Sequence, residues 1–490
     1  MTIRRLVIWI TFLAIFAMSA RISMDTDTWW HLRVGQWILE NHQIPRVDTF
    51  SYTREGASWE YPGWLVEVPL LLIYQSFGPG GLNILTAMLV TLSFWFVWKT
   101  MSGGEFLKAF VIILAATASG VYWAARPYLV TFLFTAIYLW ILEAYRWRGG
   151  GNKVTRIWWL PILMVIWVNS HGGFIVGFMV WGVYWISEAS SILLDSLFRR
   201  KNKFNPARIG TPLLWSGVLM AIAVCVNPYG ANMLLYPLKT IQIGVLRDYI
   251  QEWQTPQFHS LSVQPFAWLL LLTFGSVGAS RRRLAFIDFS LISLFAYLGL
   301  IAGRNVALFS IVAPMVISRH AAPLIKALSR GFGIRVMTTG SPSKKMQIVN
   351  TVIFAILVLA VLFKVAIIYP KQVNEAAFEE YLPIGAVNYL ITEKPHGRLF
   401  NSYNWGGYLL WALPEYPVFV DGRTDLYNDE IIGEWLEVIK TEDGWQELLN
   451  RYGVGVVLIE SGSTLDRALQ IDSEWERVYE DSLSVVYEKR

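Results

Sequence analysis

Residues 23–52 begin SMDTDTWWHLR and concentrate side chains that are capable of acid–base chemistry. Two aspartates, Asp25 and Asp27, stand one residue apart, and carboxylates this close repel each other. The repulsion raises the pKa of one carboxyl group toward the range in which it takes a proton from a hydroxyl group. Alternatively, Asp25 and Asp27 share a hard divalent cation, Mg²⁺ or Mn²⁺, with His31 or His171. No ligand spacing in the sequence decides between these two hypotheses.

The composition of the chain indicates which kind of scaffold positions these residues. Of its 490 residues, 54% are hydrophobic and only 16% are charged, which excludes an ordinary soluble domain. Apolar runs of about 20 residues recur along the sequence and predict a polytopic α-helical membrane protein. The formal charge of +5 comes from Lys and Arg in short loops beside these runs, so it predicts topology and not nucleic-acid binding. The single cysteine, Cys225, excludes a disulfide framework.

The apolar runs predict about eleven transmembrane helices. We place them at residues 4–20, 81–98, 106–124, 128–145, 157–170, 173–190, 210–226, 264–279, 285–302, 305–319 and 347–368. The first run follows two arginines as in a signal peptide, but further spans follow it and predict an uncleaved helix. Residues 61–78 hold Glu67 in a short run with prolines on both sides of that residue, and we predict an interfacial or re-entrant helix on the outer side.

The basic loops predict the orientation of the chain in the inner or plasma membrane. With the N-terminus in the cytoplasm, the Lys and Arg residues of the remaining loops also fall inside, as the positive-inside bias requires. These inner loops lie at residues 145–156, 198–208, 281–283 and 319–345. The same orientation leaves the C-terminal tail outside.

The character of the sequence changes at about residue 370. Residues 1–369 predict the transmembrane domain, in which residues 21–80 form the first outer loop, and residues 370–490 predict an extracytoplasmic α/β domain. In the tail, GRLFNS, PVFVDG, VGVVLIE and LSVVYEK predict strands, and EIIGEWLEVIK and GWQELLNRY predict helices. The segment WERVYEDSLSVVYEK predicts a closing hairpin.

Polar residues gather at the outward ends of the predicted spans. Beyond the acidic stretch, they are Arg126, Asn169, His171, Asn227, Arg304 and Asn305. Polar groups at this depth are costly unless they face a cavity, a partner or a ligand, so we predict one outward-facing polar pocket. Each has a structural alternative: Arg126 and Arg304 cap helices or extend to the surface, and His171 caps a helix end. Glu67 has the alternative of a solvated residue at the interface.

The order of these features resembles that of the GT-C superfamily of membrane glycosyltransferases. DTWWHLR at residues 27–33 resembles the D-P-W-F-x-Y-R segment of oligosaccharyltransferase catalytic subunits, with Asp27, Trp29 and Arg33 in register. The following stretch, GQWILENHQIPRVDTFSY through the predicted interfacial helix, is similar to the first outer loop of lipid A aminoarabinose transferases. The lysine of their K-P-P-L-x-Y-W motif is absent, since Glu60 and Tyr61 precede the proline here.

A second similarity lies in the tail. NSYNWGGYLLWALPEYPVFVDGRTDLY at residues 401–427 is similar to the W-W-D-Y-G-Y region of oligosaccharyltransferases, with Gly407 and Tyr408 matching. Trp405 takes the place of the aspartate of that motif, so recognition of a sequon is not implied. The tail contributes four candidate binding residues, namely Trp405, Asp421, Arg423 and Asp425. For the charged residues of VDGRTD, an internal ion pair is the alternative.

The resemblance implies an enzyme that transfers a hexosyl or pentosyl group from a polyprenyl-phosphate-linked donor to an extracytoplasmic acceptor. The acceptor is a glycan, a lipid or a protein. Asp27 or Asp25 acts as the base, and the resemblance favours Asp27. Guanidinium groups match phosphate oxygens, which makes Arg126 and Arg304 candidates for holding the donor phosphate.

The candidate substrate-binding residues share the outer side of the predicted topology. They are His31, Arg33, Arg126, Asn169, His171, Arg304, Asn305, Glu67, Trp29 and Trp30. The tryptophans have flat faces on which a sugar stacks, although they serve equally well as interface anchors. Two other classes of function remain open, a transporter or flippase for a lipid-linked or glycan substrate and a non-catalytic glycan-binding scaffold. A transporter predicts repeated halves and charges near the bilayer midplane, and the sequence has no internal repeat.

Overall fold

The computed structural model of the chain describes residues 1–147, 155–197, 210–331 and 343–490. In chain order, its helices are α1 (Ile3–Ser19), α2 (Asp27–Asn41), α3 (Trp64–Thr100), α4 (Glu105–Ser119), α5 (Tyr128–Arg146), α6 (Trp159–Val168), α7 (Ile175–Leu197), α8 (Gly210–Val224), α9 (Tyr236–Ile241), α10 (Gly244–Tyr249), α11 (Gln264–Ala279), α12 (Phe286–Ile301), α13 (Val306–Gly331), α14 (Lys344–Ile368), α15 (Lys371–Glu379), α16 (Ile384–Glu393), α17 (Tyr403–Ala412), α18 (Thr424–Lys440), α19 (Trp445–Arg451) and α20 (Thr464–Ile471). The strands are β1 (Arg398–Asn401), β2 (Val454–Glu460), β3 (Trp475–Glu480) and β4 (Ser484–Lys489). The predicted inner loop at residues 198–208, and parts of those at 145–156 and 319–345, lie outside the described residues.

The helices confirm a polytopic α-helical membrane protein. Within the described ranges, six helical segments are long and apolar enough to cross a bilayer. They are Trp64–Thr100, Glu105–Tyr122, Tyr128–Arg146, Gly172–Ser190, Gly303–Arg330 and Lys344–Ile368. Shorter apolar helices occupy Arg156–Val168, Pro212–Val224, Gln264–Ala279 and Phe286–Ile301. The number of about eleven spans and the orientation of the chain stay predictions.

The segments predicted as an interfacial helix at 61–78 and a span at 81–98 form one kinked helix. In α3, Gly78 adopts a left-handed φ of 65° and a ψ of −167°, which breaks the helical path between its two halves. Gly78 tolerates this conformation because it has no Cβ, and Pro79 then starts the second half without needing an N–H bond. Glu67 lies in the first turn of the half that precedes the kink. An interfacial location for that turn stays a prediction.

A large apolar core holds the transmembrane helices together. The helices α5 and α13 run through its centre, with Phe132 and Phe309 almost fully buried. At the end of α5 opposite Tyr128, a buried network of ion pairs links three helices. There Arg319 of α13 binds Asp288 of α12 and, at 2.6 Å, Glu143 of α5. Because a buried charge is costly without a partner, these mutual ion pairs fix the relative positions of the helices.

The tail contains a four-stranded sheet in the order β1-β2-β4-β3. The strands β1 and β2 are parallel, with Leu399 opposite Val456, and the other two pairs are antiparallel. The strands β3 and β4 form the hairpin that the sequence predicts. PVFVDG, in contrast, is not a strand, and that prediction was wrong. Its backbone groups bond to the Asn401 side chain and to residues of the first outer loop, including an isolated bridge between Val418 and Ser51.

A second core joins the first outer loop to the tail. It packs Trp29, Phe50 and Trp59 of the N-terminal part against the buried faces of β1, β2 and α17. Close packing at two glycines permits this contact. A Cβ on Gly407 of α17 would lie 2.8 Å from the carbonyl oxygen of Thr26, and one on Gly406 would meet the backbone at Asp421. The start of α2 is therefore positioned by both the bundle and the tail.

Candidate functional site

The acidic pair lies at the start of α2. The Asp25 carboxylate accepts a hydrogen bond of 2.9 Å from the backbone N–H of Asp27, the first residue of the helix. The indole N–H of Trp30, one turn later, donates to Asp27 Oδ1 at 3.2 Å. Unpaired N–H groups at a helix start favour nearby negative charge. This local structure holds the Asp27 carboxyl in a defined orientation.

Arg126 precedes α5 and lies among three carboxylates. Its Nη1 is 3.0 Å from Asp27 Oδ2 and 3.4 Å from Asp25 Oδ2, and its Nη2 donates to Glu252 Oε1. Glu252 belongs to a short helical turn, Gln251–Trp253, in the segment between α10 and α11. One cation therefore faces three anions, which leaves this cluster with surplus negative charge.

Burial and the neighbouring charges shift the pKa values of the three carboxyl groups in different directions. Burial and then the neighbouring Asp25 raise the pKa of Asp27 to about 7, against the opposing effect of Arg126. Burial also raises the pKa of Asp25. For Glu252, the charges of Arg126 and Arg304 outweigh the effect of burial and lower the pKa. Asp27 is thus a carboxyl that gains and loses a proton near neutral pH.

Arg304 lies across the same space, in the turn Gly303–Asn305 before α13. Its guanidinium stacks 4.4 Å from the Trp253 ring centre, and its backbone carbonyl accepts a 2.8 Å hydrogen bond from the Tyr128 hydroxyl. The backbone N–H of Gly303 donates to the carbonyl of Gln254 and connects the turn before α13 to the segment that holds Trp253. Arg304 forms no salt bridge with any residue that the structure describes, so its charge is available to an anion.

His171 lies between α6 and α7 and faces the same space. Its Nδ1 accepts a hydrogen bond of 3.0 Å from the backbone N–H of Gly173, and the Thr131 hydroxyl lies 2.8 Å from the same atom. Since Nδ1 is the acceptor, the proton of the neutral ring lies on Nε2. Burial, together with Arg304 and Arg126, lowers the pKa of His171 to about 3. The ring is therefore a neutral hydrogen-bond donor that also caps the turn.

His31 forms a buried pair with Glu67. The two residues lie on adjacent helices, α2 and α3, and His31 Nδ1 is 3.0 Å from Glu67 Oε1. The Tyr61 hydroxyl lies 3.3 Å from the same nitrogen, and the Trp30 ring stacks on the imidazole at 3.6 Å. Burial, followed by the charge of Arg126 and by His171, holds the pKa of His31 well below its usual range.

These groups line one cavity of about 850 Å³. The sequence-predicted residues in its wall are Asp25, Asp27, Trp30, His31, Arg126, His171, Arg304, Asn305 and Asp425. The tail supplies part of this wall through Tyr403, Gly422, Thr424 and Asp425. Burial raises the pKa of Asp425 to about 6, and its carboxylate accepts a 3.2 Å hydrogen bond from the Tyr236 hydroxyl. The cavity thus combines carboxylates, arginines and aromatic rings.

Several predicted site residues do not line this cavity. Asn169 accepts a 2.9 Å hydrogen bond from the Trp64 indole and ties α6 to α3. Arg33 pairs with Glu40 at 3.6 Å, and Trp29 packs edge-on against Phe378. These contacts favour roles for the three residues in packing and stabilising the fold. Glu67 lies behind His31 and reaches the cavity only through it.

In the tail segment VDGRTD, Arg423 and Asp421 form an internal ion pair. Arg423 is fully buried and binds both oxygens of Asp421, and its Nη1 donates to Asp48 Oδ1 at 2.6 Å. Its guanidinium also stacks 4.9 Å from the Trp59 ring centre. Trp405 is buried and donates to the Tyr381 carbonyl at 3.0 Å. The cavity wall does not include Trp405, Asp421 or Arg423. Their polar groups form hydrogen bonds and ion pairs with other protein groups instead.

The sequence reasoning missed several residues of the cavity wall. The foremost is Glu252, and the aromatic residues are Tyr61, Tyr128, Tyr236, Trp253 and Tyr403. A signal was present in the segment QEW, where a carboxylate precedes a tryptophan in an outer loop, as Asp27 precedes Trp29 and Trp30. No periodicity marks that loop, so its proximity to Arg126 depends on the tertiary fold.

The carboxylate cluster does not suit a divalent cation as it stands. Asp25, Asp27 and Glu252 all point at the Arg126 guanidinium, which fills the space where a metal ion would bind. Among the described residues, no group of three or more His, Cys, Asp or Glu side chains is arranged to hold a metal. The arrangement is instead able to accept a proton at Asp27 and to bind an anion at Arg304.

The helical bundle and the C-terminal sheet together have the GT-C fold. In solved structures, the oligosaccharyltransferase of Archaeoglobus fulgidus with a tethered acceptor peptide matches at a TM-score of 0.54 and 13% identity, over 92% of this chain and 69% of that chain. The apo form of ArnT from Cupriavidus metallidurans matches at 0.51 and 13% identity, over 98% and 97% of the two chains. AglB of Archaeoglobus fulgidus, in complex with an inhibitory peptide and a dolichol-phosphate, matches at 0.50 and 12% identity, over 94% and 70%.

These similarities establish the fold and confirm the predicted GT-C-like architecture. A structure of the same archaeal oligosaccharyltransferase in complex with Zn and sulfate matches at a TM-score of 0.50. No protein-family model and no curated protein sequence matches the chain. At 12–13% identity, activity does not follow from fold alone, so the function rests on the site.

Proposed function

We propose that the chain is an integral-membrane glycosyltransferase that moves a sugar from a polyprenyl-phosphate-linked donor to an extracytoplasmic acceptor. The observation that carries the proposal is the shared cavity of about 850 Å³, in which Asp27, Arg126 and Arg304 come together. The acceptor, whether glycan, lipid or protein, presents a hydroxyl group to Asp27. The protein is multi-pass, with the N-terminus in the cytoplasm and the cavity on the outer side.

Asp27 is the base of this reaction. With a pKa of about 7, a large fraction of the carboxyl is ionised at neutral pH and its basicity is high enough to accept a proton. In the transfer step, the acceptor O–H proton moves to Asp27 and the oxygen forms a bond to the anomeric carbon of the donor. The bond from that carbon to the phosphate oxygen breaks, and its electrons leave with the polyprenyl phosphate.

Arg304 holds the donor phosphate. Its guanidinium is not committed to a described carboxylate, whereas Arg126 already binds three. Binding of an anion near Arg304 stabilises the charge that develops on the departing phosphate. Apolar side chains such as Ile175, Met179 and Leu308 also line the cavity and suit the lipid part of a donor. The dolichol-phosphate bound to a protein of the same fold supports this class of donor.

A metal ion is not part of the proposed step. Asp25 and Asp27 would be the ligands of a Mg²⁺ or Mn²⁺ ion, but both face Arg126. Arg126 itself supplies positive charge beside the base. Its role is to hold the carboxylates in position and to offset part of their repulsion.

The decisive test is sugar transfer by the purified protein in lipid nanodiscs. Labelled polyprenyl-phosphate sugars are supplied as donors, and glycan, lipid and peptide acceptors are offered in parallel. We expect Asp27→Asn to lower the transfer rate at least about 100-fold, because the amide cannot accept the proton. The matched control is Asp443→Asn, which changes an exposed aspartate of the tail and leaves the rate unchanged. A full transfer rate in the Asp27→Asn variant would contradict the assignment of the base.

The same preparation separates the other two classes of function. A transporter or flippase moves the lipid-linked substrate across a proteoliposome membrane without any acceptor. A glycan-binding scaffold retains glycan without cleaving a donor. Movement or binding that is unaffected by Asp27→Asn, with no transfer in the wild type, would replace the enzyme proposal.

A further inference from the structure

The Glu67–His31 pair behind the cavity wall has features that packing alone does not require. The Glu67 side chain is 0% exposed, and its Oε2 has no hydrogen-bond partner among the described residues. The partner, His31, is 5% exposed at its side chain and lines the cavity. A fully buried carboxyl with one unbonded oxygen is costly, and an apolar residue of similar size would fill the space at lower cost.

The backbone around the pair permits the two helices to approach closely. Gly35 lies one helical turn after His31, and a Cβ at that position would lie 2.6 Å from the backbone oxygen of Glu67. Glycine therefore allows α2 to lie directly against the first turn of α3. This contact brings the carboxyl within hydrogen-bonding distance of the imidazole.

The cost of buried charge determines how many protons the pair holds. A single unbalanced charge in this environment is expensive, so the favoured states of the pair are net neutral. Either Glu67 is protonated and donates to Nδ1 of a neutral His31, or the carboxylate faces an imidazolium. In both states Nε2 of His31 carries a hydrogen. Among the described residues, Nε2 of His31 has no hydrogen-bond partner. It is also not among the fully buried atoms that lack a partner, so its hydrogen is accessible from the cavity that His31 lines.

We propose that the Glu67–His31 pair is a proton-holding acid that donates to a phosphate oxygen bound in the cavity. As the bond from the sugar to the phosphate breaks, the phosphate gains one negative charge. The Glu67 proton moves to His31 Nδ1, and the resulting imidazolium donates a hydrogen bond from Nε2–H to the departing phosphate while both protons stay on the ring. No further reactant is needed, since the acceptor proton goes to Asp27 and the bonding electrons go to the phosphate oxygen.

This inference rests on the proposed function and extends it in one respect. His31 contacts the leaving phosphate and is a catalytic residue, whereas Glu67 acts through His31 and is a positioning residue. His31 and Asp27 are one turn apart on α2, so both project from the same face of the helix. The helix thereby supplies a base and an acid to opposite ends of one transfer.

Glu67→Gln distinguishes proton donation from support of the fold. The glutamine amide donates to Nδ1 and keeps the hydrogen on Nε2, but it cannot give up a proton. We expect kcat to fall about tenfold, with the donor KM changed less than about threefold and the melting temperature retained. His31→Gln is expected to lower kcat at least as much. A normal kcat in Glu67→Gln, or a loss that appears only as raised KM and lowered melting temperature, overturns the proposal.

A second measurement uses the wild-type protein and does not depend on sugar transfer. The protein is labelled with ¹⁵N-histidine in nanodiscs, and its ring nitrogens are observed by NMR with His31 assigned from its loss in His31→Gln. We expect Nε2 of His31 to be protonated without phosphate and both nitrogens to be protonated after addition of undecaprenyl phosphate. Inorganic phosphate is added in a separate sample. A response to either probe supports the pair as a phosphate donor, and the comparison identifies the lipid headgroup or free phosphate as the ligand.

The two results separate failure of this inference from failure of the proposed function. If no polyprenyl-phosphate sugar is transferred by the wild type but His31 still becomes doubly protonated, the pair binds phosphate and the enzyme assignment is wrong. If transfer occurs and Nε2 is unprotonated in both states, the acid is wrong and the enzyme assignment stands.

Discussion

Asp27 has a titration range set by its immediate neighbours. Burial and the charge of Asp25 raise its pKa to about 7, although Arg126 opposes both effects. A carboxyl with a raised pKa binds a proton more tightly in the folded chain than in the unfolded chain. This proton stabilises the fold below the folded pKa, and the contribution is lost as pH rises through about 7. The ionised form of Asp27, which is the form able to accept a proton, is therefore the form that stabilises the folded chain less.

We expect sugar transfer to rise with pH and to level off above about 7, because only ionised Asp27 accepts the acceptor proton. Asp25→Asn removes the like charge and is expected to shift the acidic limb of the profile to lower pH. The measurement is kcat/KM against pH for both proteins, with Asp443→Asn as the control for an aspartate outside the cavity. An acidic limb that moves upward in Asp25→Asn would show that Asp25 does not act through charge repulsion.

At the scale of elements, the loop before α18 presses against the start of α2. A Cβ added to Gly422 would overlap Asp27 Oδ1 and lie 3.2 Å from the Trp30 indole nitrogen. The loop itself is held by the ion pairs of Arg423, the next residue. A segment of the tail therefore restricts where the Asp27 carboxyl can lie.

Gly422→Ala is expected to lower kcat about tenfold to 100-fold, because displacing a catalytic group by about 1 Å has effects of this size. The matched control is Gly433→Ala in α18, where an added Cβ meets no atom within 4 Å. Transfer rates and melting temperatures of both variants provide the comparison. Equal rates for the two would show that contact with the tail does not position Asp27.

The sequence predicted elements better than it predicted their contacts. Apolar length predicted apolar helices, and short β-rich runs predicted the strands β1 and β2 and the hairpin of β3 and β4, because these signals are local. PVFVDG has the pattern of a strand, but its hydrogen bonds go to Asn401 and to the first outer loop, which no local pattern encodes. The resemblance drew attention to Asp27. The sequence did not identify Glu252 as a site residue, because its contact with Arg126 arises from packing between loops that are distant in the chain.

At the scale of the whole molecule, one buried clasp links the first outer loop to the tail. Arg423 joins Asp48, which is 375 positions earlier in the chain, to Asp421 beside it. Backbone bonds between Tyr52 and Val418, and between Phe50 and Val418, continue the same contact. The segment after α1 and the tail are thus packed against each other beside the cavity.

We expect Arg423→Met to destabilise the protein by about 3 to 5 kcal/mol, because two buried carboxylates lose their cation. Arg477→Ala is the control, since it removes a largely exposed ion pair with Glu480 and costs less than about 1 kcal/mol. Thermal unfolding in detergent reports both changes. Similar melting temperatures for the two variants would show that the clasp contributes little to stability.

The clasp joins a residue made early in synthesis to one made late. Asp48 is made early, whereas Arg423 and the cavity-lining residues of the tail emerge near the end of translation. A nascent chain that has inserted all its membrane helices still lacks one wall around Asp27. The cavity is consequently complete only after the last quarter of the polypeptide has been made and has packed against the helical bundle.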